Sequence, residues 1–167
     1  LNDSHWTVAS LPAKSMAVAQ YPAIWMRPGR RSRWIAETCD GLKDEDEVVT
    51  FKTTFNLPSA VPAGNYAIEG ILVCDNWVTD VRVNGVSVDI PGLTDAYPGL
   101  NDFELRGPMY RFLLKANFIT GVNQIEFEVT NGGPVASWVG LRIEWTGVGI
   151  CGGATTTTST TTTTTTS

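Results

Sequence analysis

The middle of the chain alternates between apolar and polar positions with a period of two. In "EVVTFKTTFNLP", Val49, Phe51, Thr53, Phe55 and Leu57 share one face, and Val48, Thr50, Lys52, Thr54 and Asn56 share the other. That is the period of a half-buried strand. "NQIEFEVTN" repeats it, with Ile125, Phe127 and Val129 inward and Gln124, Glu126, Glu128 and Thr130 outward. "WVGLRIEWTG" sets Val139, Leu141, Ile143 and Trp145 on one face. "NYAIEGILVCD" is apolar on both faces apart from Glu69, the pattern of a central strand, and "MYRFLLKANF" reads as a further strand. In "TDVRVNGVSVDI", Asn84-Gly85 separates two valine-alternating arms. That pair accepts the positive φ of a two-residue hairpin turn.

Turn residues fall between these runs, in "NLPSAVPAGN", "ITGVN" and "TNGGP", and the body carries no 3.6-residue apolar stripe. Many short strands separated by turns predict an all-β antiparallel sandwich. Residues 11–38 contain three prolines and little alternation, and read as loop with one or two short strands. Residues 91–108 form a long loop rich in Gly and Pro, a candidate binding element or an irregular crossover. The chain thus divides into a sandwich body, 1–151, and a glycine hinge with a Thr/Ser-rich tail, 152–167.

Length and charge narrow the partners. A chain of 167 residues suits one domain plus the tail. Its formal charge of −5 and pI near 4.8 disfavour nucleic acid, because no basic stripe offsets phosphate repulsion. No apolar run approaches the roughly 18–20 residues that span a bilayer. The start "LNDSHW" lacks the basic end and apolar middle of a signal peptide, so an exported protein would be a processed form here. Cys39, Cys74 and Cys151 show no CxxC or histidine-rich spacing, which argues against zinc. One disulfide with a free thiol, or three buried thiols, both fit.

Taken in order, "FKTTFNLP", "YAIEGILVCDNWVTDVRVNGVSV", "LKANFITGVNQIEFEVTNGG" and "WVGLRIEWTG" resemble the galactose-binding-like jelly roll. The likeness is an aromatic strand ending at a proline turn, an "xxDNxxxVxVNG" segment, a "GxNxIxFxVxN" strand and a closing apolar strand. It covers residues 47–147 and leaves residues 1–46 unmatched. It implies a jelly-roll β-sandwich of the kind found in exported bacterial proteins and as non-catalytic modules of glycosidases. Its ligand stays open, because such folds carry many functions. The resemblance also implies that the turn Asp75-Asn76-Trp77 sits at one end of the sandwich.

Catalytic parts are scarce. His5 is the sole histidine, no GxSxG occurs, and no cysteine has an evident histidine partner, so nucleophilic hydrolysis lacks its components. Asp75, Asp80, Asp89, Asp95, Asp102 and Glu104 supply carboxylates, but a glycosidase needs two of them facing across a cleft. The expectation is a non-enzyme. Sugar binding has better material: Trp77 offers a stacking face beside Asp75 and Asn76, and Tyr97, Asn101 and Asp102 in the long loop are suited to completing a pocket. The plainer reading is that Trp77 caps the sandwich and Asn76 holds a turn. "CDGLKDEDE" gathers hard oxygen ligands around Asp40, Asp44, Glu45, Asp46 and Glu47, but without an EF-hand spacing. No cofactor is expected beyond, at most, a structural calcium there.

Charge is segregated. "RPGRRSR" holds Arg27, Arg30, Arg31 and Arg33, and "DEDE" holds Asp44, Glu45, Asp46 and Glu47. Between copies such unlike patches suit a head-to-tail contact, which propagates into a filament if it does not close; within one molecule they neutralise each other, and the plainer reading is two solvated loops. The tail adds Thr155, Thr156, Thr157, Thr158, Ser159, Thr160, Thr161, Thr162, Thr163, Thr164, Thr165 and Thr166. Such a tract suits dense O-glycosylation, strand addition to a neighbour, or a linker. Asn2-Asp3-Ser4 is a lone N-glycosylation sequon.

These features lead to one expectation. The chain is a non-catalytic extracellular or cell-surface module that self-assembles into a filament or matrix, its partners being copies of itself and glycans. The alternative is a carbohydrate-binding module joined by the tail to an absent catalytic domain.

Overall fold

The computed structural model describes residues 2–8, 11–15, 25, 27, 32–43, 47–60, 62–91, 93, 109–132 and 136–150. Their strands are β1 (Asn2–Val8), β2 (Leu11–Ser15), β3 (Ile35–Ala36), β4 (Leu42–Lys43), β5 (Val48–Leu57) and β6 (Tyr66–Asp75). They continue as β7 (Trp77–Val83), β8 (Val86–Ser87), β9 (Tyr110–Leu114), β10 (Gly121–Thr130), β11 (Ser137–Trp138) and β12 (Gly140–Ile150). The fold is all-β with antiparallel pairing, as the alternation predicts. None of the described helical residues forms a helix long and apolar enough to cross a membrane.

Ten strands make one sheet in the order β8-β7-β10-β5-β1-β2-β3-β12-β6-β9, and β11 pairs with β4 apart from it. The sheet doubles over at the short β2 and β3, so β8-β7-β10-β5-β1 faces β12-β6-β9. Phe51, Val81 and Phe127 of the first layer share a core with Leu72, Phe112, Leu114 and Leu141 of the second. The rings of Phe112 and Phe127 meet edge to face at 5.6 Å and 69°. Each buried aromatic of this kind contributes through its large apolar area and through ring geometry.

The hairpin forms where the sequence places it. Asn84 and Gly85 take φ of 53° and 79°, and Val83 faces Val86 across the turn. Asn84 Nδ2 donates to Asn123 Oδ1 at 2.9 Å, and Asn84 Oδ1 accepts the Gln124 N–H at 2.9 Å. Asn123, fully buried, also bonds the backbone of Ile119 and Gly121. One amide pair thereby fixes the hairpin, the 115–121 loop and the start of β10.

The two outer faces differ. On the first layer, Lys52 and Arg82 flank Glu126 at 2.8 and 3.7 Å, and Arg82 also meets Asp80 and Glu128 at 2.6 and 2.8 Å. Glu126 points outward as expected, yet its neighbours leave it only 7% exposed. The second layer is covered instead by a small cluster of Trp25, Trp34, Ala36 and Val73, with Met109 against it. The indoles of Trp25 and Trp34 stack at 4.2 Å. Beside them Arg142 is buried, donating to Ser32 Oγ, the Arg27 carbonyl and Glu144 Oε1 at 2.8, 2.9 and 2.9 Å. The segment 11–38, read from sequence as loop with one or two short strands, supplies two short strands, β2 and β3, and with Trp25 and Trp34 the cover that the two-sided apolar pattern of β6 requires.

Candidate binding groove at the seam

β12 meets β3 through a single residue pair, Leu141 with Ile35. Past that pair the inward face of β12 continues as Ile143, Trp145 and Val148. An irregularity between Trp145 and Gly147 shifts the alternation, so Val148 lies opposite Ile68 and stays on the inward side. Among the described residues no strand pairs with the other edge of this half of β12. The layers part there, leaving a cavity of about 590 Å³.

Its walls are His5 and Trp6 of β1 and Ile143, Trp145 and Val148 of β12. Phe55, Ile68, Ile125, Ser32, Arg33, Ile35, Thr53 and Thr54 complete the lining. Trp6 and Trp145 lie parallel, centroids 6.2 Å apart at 2°. Phe112 supports Trp145 edge-on at 5.7 Å. Gly70, paired with Trp145, makes room for the Phe112 ring: a Cβ there would stand 2.7 Å from Phe112 Cε1. Inward-facing side chains are nevertheless left in contact with solvent, Trp145 at 41% and Val148 at 66%.

Two hydroxyls of the groove are spent on internal bonds. Ser32 Oγ donates to Glu144 and accepts from Arg142 Nε, and Thr53 Oγ1 donates to the His5 carbonyl at 2.8 Å. Arg33 is exposed and makes no ion pair among the described residues. No carboxylate appears in the described lining.

The sequence-derived sugar site lies elsewhere, in the turn joining β6 to β7. Asp75 is 5% exposed, and its Oδ2 accepts the Trp25 Nε1–H at 2.6 Å. Burial pushes its carboxyl up to about 7, against the opposing effect of that bond. A cis peptide links it to Asn76, whose Oδ1 accepts the Gly132 N–H at 2.8 Å. The Trp77 ring covers the space where Gly132 would carry a Cβ. The structure thus brings Asp75, Asn76 and Trp77 together, with the carboxylate and the amide oxygen already bonded. Tyr97, Asn101 and Asp102 lie outside the described residues.

Of the charged patches, Arg27, Arg33 and Glu47 are described, whereas Arg30, Arg31, Asp44, Glu45 and Asp46 lie outside. Arg27, like Arg33, is exposed and has no ion pair among the described residues. Asp40 is held by its own turn, accepting from Thr38 Oγ1 at 2.6 Å and the Leu42 N–H at 3.3 Å. Among the described residues no three His, Cys, Asp or Glu side chains gather for a metal. Cys39 is exposed and Cys74 buried, with its Sγ 3.5 Å from the Asn76 carbonyl oxygen, and Cys151 and the Thr/Ser tail from Thr155 to Thr166 fall outside the described residues.

Sequence reasoning missed the groove. Its one signal was the pair Trp145 and Val148, apolar to the end of the last strand, where a finished sandwich edge turns polar.

No protein-family model matches the chain, and no curated protein or solved structure is significantly similar to it.

Proposed function

We propose that this chain is a non-catalytic binding module, a jelly roll of galactose-binding-like type whose working surface is the seam groove. The observation that carries the reading is the pair of inward-facing apolar side chains, Trp145 and Val148, left exposed beside half-buried Ile143 around about 590 Å³. That volume is in the range of about 300–1,000 Å³ typical of small-molecule sites, which are also mostly apolar with few polar groups. Leaving such surface in water costs about 25 cal/mol per Å², so covering it drives binding. Successive long strands β5, β6, β7, β9, β10 and β12 alternate between the layers, which supports the jelly-roll reading. The test is titration with the neutral apolar dye N-phenyl-1-naphthylamine. The reading expects saturable binding that is lost in Val148→Glu, at an exposed position where folding tolerates the change. Absence of binding by the parent chain overturns it.

A second reading is assembly of an extracellular or cell-surface filament or matrix, through the arginine and acidic patches and an O-glycosylated tail. It is favoured by Arg27 and Arg33, which are exposed and make no ion pair among the described residues. Exposed ion pairs contribute only about 0–1 kcal/mol each, so charge sets register and the tail supplies the rest. Sedimentation of native and 154–167-deleted protein at low and high salt tests it; a native chain that stays monomeric in both ends this reading. The sugar reading at Asp75, Asn76 and Trp77 is separated from both by a glycan array.

A further inference from the structure

Resting on the binding reading, the lining of the groove narrows its ligand by chemical class. Polar recognition by side chains there is confined to a few groups. The hydroxyls of Ser32 and Thr53 are committed to internal bonds. A polyhydroxylated ring would find too few partners for its hydroxyls, and each one buried without a bond is penalised. The apolar share is large: two indoles, Phe55, four isoleucines and Val148.

The charge of the lining has one sign. Arg33 is its only permanently ionised group among the described residues, with His5 the other basic one. Arg82, Arg111 and Arg142 all meet carboxylates, at 2.6–3.7, 3.3 and 2.9 Å. Arg33 meets none among the described residues, although it stands beside an apolar cavity. A guanidinium in that position presents a planar fork suited to a carboxylate. A cationic amphiphile would be repelled, and a neutral one would leave the fork unused.

We propose that the seam groove binds an amphipathic organic anion: an apolar body against Trp145, Ile143, Val148 and Phe55, and a carboxylate on Arg33. The test compares dodecanoate, dodecanol and dodecyltrimethylammonium below their micelle concentrations, by calorimetry and indole fluorescence, on the full chain and on Arg33→Gln and Val148→Glu. Circular dichroism melts confirm that both variants fold. Dodecanoate is expected to bind about threefold to fivefold more tightly than dodecanol, as an exposed ion pair allows, with the ammonium compound weakest. Arg33→Gln should bring dodecanoate down to the level of dodecanol and leave dodecanol unchanged. Equal affinities for acid and alcohol, or an Arg33→Gln variant that still prefers the acid, overturns the anion assignment while leaving the groove as a binding surface. Failure of all three probes, or binding unaffected by Val148→Glu, overturns both.

Discussion

Trp25 Nε1 donates to Asp75 Oδ2 at 2.6 Å, tying the outer cover of the second layer to the end of β6. Burial holds this carboxyl near 7, above its unfolded value of 3.8. Between those values the folded chain keeps a proton that the unfolded chain has lost. Stability is therefore full below about pH 4 as far as this group is concerned, and falls as pH rises towards 7. Asp75→Asn retains an oxygen for the Trp25 bond and removes the titration. Denaturant melts from pH 4 to 8 should show the parent losing stability relative to Asp75→Asn; parallel curves would remove the assignment.

The amide pair Asn84 and Asn123 carries the second expectation. Asn123 is fully buried, and its side chain bonds Asn84 and the backbone of Ile119 and Gly121. Asn123→Leu leaves those backbone groups without partners, at about 1–3 kcal/mol for each buried group left unsatisfied. Urea unfolding should place the loss at about 2 kcal/mol or more, whereas Gln124→Ala, on a half-buried outward position, should cost much less.

These two relationships show what could be read from the chain. Asn84-Gly85 announces its turn because its backbone chemistry is local, and β5, β7, β10 and β12 announce themselves by alternation. The partnership of Asn84 with Asn123 spans 39 positions, and no local pattern reports it. Trp25 and Trp34 were hidden for the opposite reason. They sit in a proline-interrupted segment without periodicity and are placed by β6, whose outward Val73 needs a cover. The groove depends on how far β3 runs along β12, a matter of tertiary pairing. Asp75, Asn76 and Trp77 were legible as a group because they are adjacent in the chain, but the bonds of Asp75 and Asn76 to Trp25 and Gly132 required the fold.

Trp77 distinguishes a cap from a stacking platform. Its ring lies over Gly132, and Asn76 is bonded to the Gly132 N–H. Trp77→Ala should destabilise by about 3 kcal/mol, in line with large-to-small aromatic deletions in cores. Gly132→Ala should also destabilise, because its methyl meets the indole. Unchanged melting of Trp77→Ala, with loss of retention on a glycan array, would assign the residue to sugar instead.

Ligand entry into the seam groove, which Trp6 and Trp145 both line, is directly observable through the six tryptophans. Each indole N–H gives its own resonance in a proton–nitrogen correlation spectrum, assigned by single Trp→Phe replacements. Titration with dodecanoate should shift the signals of Trp6 and Trp145, which stack at 6.2 Å within the groove. Those of Trp25, Trp34, Trp77 and Trp138 should stay in place. Shifts confined to Trp77 and Trp138, with Trp6 and Trp145 unmoved, would contradict the account.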